Sequence, residues 1–454
     1  MKRTVFVVLF VTALIINACA PAAAPAPAAA PTTAAPTKFA FWHAMGGNKG
    51  QAITEMTKRF NDSQKACIAE AVYQGSYDDE LNKLKAGLQA KDIPAAIQMF
   101  DVATQVLVDL KVATPVQDFI DKEKYDITDL EPNVLAYYTV NGKLYSMPFN
   151  TSNPLVYYNK DAFKAAGLDP NKPPRTFAEF TDYATKLTKK GADGKVSMYG
   201  YSMAIYGWFF EQLLAASGGL YLDNGNGRDA RATKATFNSP EAVKILTWWK
   251  AGVDAGVFGN YGRSTDDVDL AFNGQQTAMM IESSGDLTGL MESAKGKFEL
   301  GAGFLPRPDE DAFKKSGTVI GGASVWILKD RPVAEQQCAW EFVKSVASPE
   351  IQAYWHTVTG YYPVRKAAYN VQIDKDWVAK YPLFTVAADQ LHMAPNIRQT
   401  QGALTAVLPS ARARTELMIE EVLTGKATPQ QALDNAAADV NKMITDYEKT
   451  VTTK

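Results

Sequence analysis

From Phe39 onward, short apolar runs alternate with stretches of helical period, and this alternation limits the fold more than any other feature. Phe39-Ala40-Phe41-Trp42 reads as a buried strand, and residues 48–60 repeat apolar side chains at helical spacing through Ile53, Met56 and Phe60. Residues 68–73 read as the next strand, 79–88 as a helix, 95–100 as a third strand and 102–112 as another helix. A βαβαβα order implies a parallel sheet with helices on its faces. Ligands of such sheets collect outside the carboxyl ends of the strands, where Tyr77 and Asp101 stand. Farther along, Thr176-Phe177-Ala178-Glu179 is a capping box and Thr428-Pro429 opens a helix with proline at its first position. Residues 278–281 and 317–327 read as further strands.

What precedes Phe39 is an address and a spacer. Lys2 and Arg3 lead into an apolar run over 5–16, too short for a bilayer span, which takes roughly 20 residues, but suited to a signal peptide. Ile16-Asn17-Ala18-Cys19 resembles the bacterial lipobox, so 1–18 is expected to be a lipoprotein signal peptide with Cys19 acylated; cleavage after Ala18 beside a stray cysteine is the alternative. Residues 19–37 are almost entirely Ala, Pro and Thr after the cysteine, an extended tether with no side chains for a core. No later stretch is apolar enough to span a membrane.

The remainder, 38–454, is longer than one ordinary core and implies two lobes. No Pro/Gly/Ser linker divides it, so the chain is expected to cross between lobes more than once. A net charge of -2 without a Lys/Arg cluster argues against a nucleic-acid surface. Cys67 and Cys338 both sit in apolar runs and are expected to be buried free thiols rather than a disulfide.

Catalytic patterns are lacking. The three histidines, His43, His356 and His392, have no metal-ligand spacing. There is no GxSxG elbow, Ser283-Ser284-Gly285 being the nearest look-alike, and no Walker A or dinucleotide fingerprint. Asp223-Asn224-Gly225-Asn226-Gly227 has a calcium-loop flavour, but Gly225 occupies a required ligand position, so a tight turn is expected. No metal, cofactor or catalytic residue is assigned; a glycosidase-like carboxylate pair among 49 acidic residues keeps an extracellular hydrolase as a remote alternative.

Pro148-Phe149-Asn150-Thr151-Ser152, Tyr157-Tyr158-Asn159-Lys160-Asp161, Ala166-Gly167-Leu168-Asp169-Pro170, residues 274–280 and the tail 424–433 resemble, in order, the extracytoplasmic solute-binding proteins of carbohydrate-type ABC importers. Within that family the segments 41–47, 73–77, 320–324 and 355–361 resemble its glycerol-3-phosphate binders. The resemblance implies an α/β, two-lobed periplasmic-binding-protein fold with several crossovers and a hinge. It places 38–148 plus about 323–361 in the N-terminal lobe and about 149–322 plus 362–454 in the C-terminal lobe. The implied protein is a monomer that does no chemistry, is held to the membrane by its lipid alone, and delivers its solute to membrane permease subunits.

By the same resemblance Tyr77, Asp101, Ser152, Ser283, Gly322, Tyr361 and Arg412 fall on ligand-contacting positions, with Trp208 close by. Arg412 can supply a guanidinium fork to a phosphate, Ser152 and Ser283 hydroxyls, and Gly322 an uncrowded N–H. The helix expected at Leu287 would add a favourable N-terminus. Asp101, which would repel phosphate, is expected at the opposite end, on hydroxyls. Taken without the resemblance, Arg412 reads as a solvated helix face with Arg414, and Tyr361 beside Tyr362 reads equally well as packing. Ile205 departs from the glycerol-3-phosphate binders, which carry tryptophan there; the missing indole opens room for a glycerophosphodiester such as glycerophosphocholine, whose head group suits aromatic faces. A neutral sugar or oligosaccharide is the alternative ligand.

Overall fold

The computed structural model describes residues 35–452; the expected signal peptide, the expected lipidation site Cys19 and the expected tether up to residue 34 lie outside the described residues. Thr37, expected as the last residue of the tether, already belongs to a strand. That strand, β1 (Thr37–His43), turns Phe39, Phe41 and His43 into one core, while Trp42 on its other face packs against a second. It is followed by α1 (Gly47–Ser63), β2 (Cys67–Tyr73), α2 (Tyr77–Ala90), β3 (Ala96–Phe100) and α3 (Thr104–Leu110). Helix α1 buries Ile53, Met56 and Phe60, the spacing that marks it in the sequence. Helix α2 begins two residues before its expected start because Ser76 and Asp79 form a reciprocal capping box. The helix expected over 102–112 is a 3-10 turn, Asp101–Ala103, followed by α3, which Lys111 ends in left-handed geometry.

β2, β1 and β3 pair in parallel, as the alternation implies. The sheet is then completed differently. Gly321–Leu328 lies antiparallel to β3, and Met147–Ser152 and Ala113–Thr114 lie antiparallel to Gly321–Leu328, so the six-stranded sheet is mixed. The strand expected to start at 317 starts at Gly321.

A second sheet of five strands has the order Phe258–Gly259, Tyr201–Ser202, Met279–Ser283, Pro154–Asn159, Leu300–Phe304. The chain therefore leaves the first sheet at Ser152, enters the second at Pro154, and returns at Gly321. It crosses again later, since Tyr362 bridges to Thr151 while helix Val386–Met393 packs on the second sheet. These crossovers build the two-lobed α/β fold. The stretch Asp223–Gly227 is a tight turn, with Asn224, Gly225 and Asn226 in left-handed geometry and Asn226 accepting from the Tyr221 and Leu222 amides.

Cys67 and Cys338 are not free thiols. They form a disulfide with Cα atoms 5.6 Å apart, tying the edge strand β2 to helix Val333–Val346 across 271 residues. Apolar neighbours are compatible with either state; only the packing of that helix on β2 brings the two sulfurs together.

Candidate ligand-binding site

Where the two sheets face each other, the carboxyl ends of β3 and of Met279–Ser283 open on a cleft of about 570 Å³. Tyr77, Asp101, Ser152, Ser283, Gly322, Tyr361, Arg412 and Trp208 all line it, from eight separate chain segments. Ile205 does not. It is 2% exposed, and its amide donates to the Gly262 carbonyl at 2.8 Å. The wall beside it is Tyr206, 37% exposed, with its ring 6.2 Å from that of Trp208. The room expected at Ile205 is thus filled at the wall by an aromatic ring from the next residue.

Each lining residue is set by its element. Tyr77 is the first residue of α2, so the cap at Ser76 fixes its direction; its ring stacks on Phe100 at 5.3 Å and its hydroxyl accepts from Asn150 at 2.9 Å. Tyr361 stacks on Trp355 at 5.7 Å and lies over Gly285, where a Cβ would sit 2.5 Å from its ring. Burial pushes both phenols up, so each stays a neutral hydrogen-bonding group. Gly322 has φ +107, and a Cβ there would lie 1.9 Å from the Asn150 carbonyl, so only glycine fits this crossing of strands. The Ser283 hydroxyl accepts from the Gly285 amide at 3.1 Å, capping a 3-10 turn before helix Leu287–Ala294. The N-terminus of that helix already carries Asp286.

The electrostatics depart from expectation at Arg412. Its Nε and Nη2 donate to Glu211 Oε2 at 2.9 and 2.6 Å, and Nη2 also donates to Asp101 Oδ2 at 3.3 Å. Asp101 is therefore at the guanidinium, not at the opposite end of the cleft. The β3 end and helix Leu408–Leu423 are thereby joined across the cleft. Nη1 is the guanidinium nitrogen left without a hydrogen bond among the described residues. Burial opposes the charge on Arg412, but Glu211 and Asp101 outweigh it and hold its pKa above the ordinary value. Burial pushes the Asp101 carboxyl up; Arg412 pulls it back and Glu211 adds to the rise. Its net shift is upward.

Around this trio the lining is acidic. Asp78, Asp101, Asp266, Glu282, Asp286 and Glu416 face the cleft, against Arg263 and Arg412. Arg263 is taken by Glu420 at 2.6 Å. Burial, then Asp286 and Asp269, push Glu282 well above the carboxylate range, so it counts as neutral; the excess of negative charge remains. Lys49, from α1, donates to Asp286 at 2.6 Å and stands 5.6 Å from the Tyr361 ring, a second ion pair between the lobes.

Sequence reasoning missed Glu211, Tyr206, Glu282, Asp286 and Lys49. Glu211 stands three residues after Trp208 on helix Gly207–Ala216, a spacing that shares one face, and Glu282 directly precedes Ser283. Lys49 carries no local signal, because its partner is 237 residues away.

The bacterial extracellular solute-binding protein family matches residues 55–386. The sn-glycerol-3-phosphate-binding periplasmic protein UgpB of Escherichia coli (strain K12) is 34% identical over 420 residues, covering 91% of this chain and 94% of that protein. The corresponding protein of Salmonella typhimurium is 33% identical over 420 residues, again 91% of this chain and 94% of its own. UgpB from Mycobacterium tuberculosis in complex with glycerophosphocholine superposes with a TM-score of 0.77 at 25% identity, over 92% of this chain and 100% of that one. The cyclic alpha-maltosyl-1,6-maltose binding protein from Arthrobacter globiformis gives 0.73 at 25% identity, over 90% and 100%.

Proposed function

The chain belongs to the family of bacterial extracellular solute-binding proteins, and on that footing we propose that it captures a glycerophosphodiester bearing a cationic head group, such as glycerophosphocholine, for an ABC importer. The acidic excess of the cleft lining is the observation that carries this reading. A phosphomonoester is close to a dianion at pH 7, since its second pKa is about 6. Such a ligand would meet, in Arg412 Nη1, a guanidinium nitrogen free of hydrogen bonds among the described residues but belonging to an arginine already held by two carboxylates. A diester carries a single negative charge, and a quaternary ammonium on the same molecule makes the ligand neutral overall. Arg412 Nη1 with the Ser152 and Ser283 hydroxyls would receive the phosphodiester. The Tyr206 and Trp208 rings, with the carboxylates around them, would receive the cation. The volume of about 570 Å³ suits a ligand of that size.

In this reading the protein does no chemistry and works as a monomer that hands its solute to membrane permease subunits. Acylated Cys19 tethers it outside the cytoplasm; the Cys67–Cys338 disulfide supports an oxidising compartment. No helix among the described residues is long and apolar enough to cross a membrane. The lobes divide near Ser152 and Gly321, where the chain changes sheets.

A thermal-shift screen of the purified protein against glycerophosphocholine, glycerol-3-phosphate and maltooligosaccharides tests the proposal. Glycerophosphocholine is expected to give the largest rise in Tm. A larger rise with an oligosaccharide would return the cleft to the sugar-binding reading.

A further inference from the structure

Glu211 is not part of the cleft lining, yet it controls the one guanidinium there that is not committed to surface acids. It is 2% exposed, within helix Gly207–Ala216, and Oε2 takes both the Nε and the Nη2 hydrogens of Arg412. Its other oxygen lies 3.4 Å from the Ala403 amide that donates to it. Asp101 holds the same Nη2 from the other lobe. The Arg412 guanidinium thus meets two buried carboxyl groups, while Arg228, the other buried cation that reaches Glu211, spends its hydrogen bonds on the carbonyls of Ala136, Tyr137, Gln401 and Gly402. Binding a phosphate would require only one donor nitrogen; it would not require a second carboxylate behind the arginine.

We propose that Glu211 is a specificity-determining residue that, by cancelling the charge of Arg412, makes the cleft select a glycerophosphodiester over a phosphomonoester. The inference rests on the reading of the cleft as a glycerophosphate site. Its physical basis is that repulsion from an uncancelled carboxylate scales with the net charge of the ligand. A dianionic monoester feels it twice over, whereas a zwitterionic diester, neutral as a whole, feels little. The other groups facing the trio are Tyr137, Tyr138, Tyr206, Tyr221, Glu416 and, behind Glu211, Arg228. Burial pushes the four phenols up, so they stay neutral near pH 7; it lowers Arg228 only to about 10, so that group stays a cation; and it raises Glu416, whose carboxylate accepts from the Gly207 amide at 3.0 Å.

A merely structural role makes a different prediction. If Glu211 only orients Arg412, removing its charge weakens both ligands together. Glu211→Gln keeps an oxygen that can accept from Arg412 Nε, so the two roles separate in this variant. Calorimetric titration of wild type and Glu211→Gln with glycerol-3-phosphate and with glycerophosphocholine, between about pH 5.5 and 8, reads them out. At pH 7.5 the variant is expected to bind the monoester about tenfold or more tighter, with the diester changed by less than about threefold. Wild type should bind the monoester more tightly as pH falls through about 6 and the ligand becomes a monoanion, and the variant should show a flatter profile. Asp101→Asn removes the second carboxylate and should raise monoester affinity in the same direction, which keeps the test open if Glu211→Gln does not fold. Parallel loss of both ligands, or an unmoved monoester-to-diester ratio, overturns the role of Glu211. A wild type that prefers the monoester overturns the diester reading instead, and a further monoester gain in Glu211→Gln would then still support the charge role.

Discussion

Arg412 shows how a single side chain changes meaning once its neighbours are known. From sequence it is either a phosphate fork or a solvated helix residue; in the structure it is buried between Glu211 and Asp101. Arg412→Ala would strand two buried carboxylates, and loss of one partner of a buried ion pair costs about 3–5 kcal/mol. Urea denaturation at pH 7 should show a loss of that size, and ligand binding should vanish with it. Gly322→Ala should fail for a steric reason, because the new Cβ would meet the Asn150 carbonyl with φ held at +107. Strain of this kind costs about 1–3 kcal/mol, to be read as a lowered urea midpoint together with weakened binding. His43 gives a pH prediction. Burial lowers its pKa from 6.5 to about 4, while its Nδ1 accepts from the Met45 amide. The folded protein therefore refuses a proton that the unfolded chain takes, and stability should fall as pH drops from 6.5 towards 4. His43→Gln should flatten that part of the profile, and an unchanged slope would place its origin elsewhere. The residues that line the cleft were legible where an ordered set of motifs carried them, as with Tyr77, Ser152 and Gly322. Glu211 and Lys49 were not, because a buried carboxylate and a surface lysine look alike until their distant partners are in place. Ile205 does not line the cleft, whose wall is formed one residue later, by Tyr206.

At the scale of elements, strand and helix were readable wherever one period governed a segment. β1, α1, β2 and β3 stand within two or three residues of expectation, since β1, α1 and β2 each bury one face more than the other and β3 is a short apolar run buried on both. Pairing direction beyond β3 was not readable. Gly321–Leu328, more than 200 residues later in sequence, inserts antiparallel, and no local pattern announces such a neighbour. The Cys67–Cys338 disulfide was hidden for the same reason. It closes a loop of 271 residues, for which chain entropy assigns about 5–6 kcal/mol of stability. Dithiothreitol should lower Tm, and a Cys67→Ala/Cys338→Ala double variant should melt at the reduced protein's temperature and be indifferent to the reagent. Farther along the chain, Thr176 caps helix Phe177–Leu187 with Glu179 returning the bond. Thr176→Ala should cost about 1 kcal/mol in chemical denaturation without touching ligand binding.

For the molecule as a whole, two lobes joined by repeated crossings form a cleft that ion pairs hold from both sides. Arg412–Asp101 and Lys49–Asp286 each join groups from opposite lobes, and both pairs border the same cleft. In the proposed reading the lobes close on the solute, and these two ion pairs would bring the charge of the solute directly into the balance of closure. The two-lobed architecture followed from the length and the missing linker, whereas the acidic character of the cleft did not follow from a net charge of -2, because charge distribution is a property of the folded surface. The central claim is that this cleft takes a zwitterionic glycerophosphodiester. Isothermal titration calorimetry of the wild-type protein at pH 7.5 with glycerophosphocholine and with glycerol-3-phosphate, each alone, addresses it most directly. Saturable one-to-one binding, clearly tighter for glycerophosphocholine, is the predicted result; clearly tighter binding of glycerol-3-phosphate would contradict it.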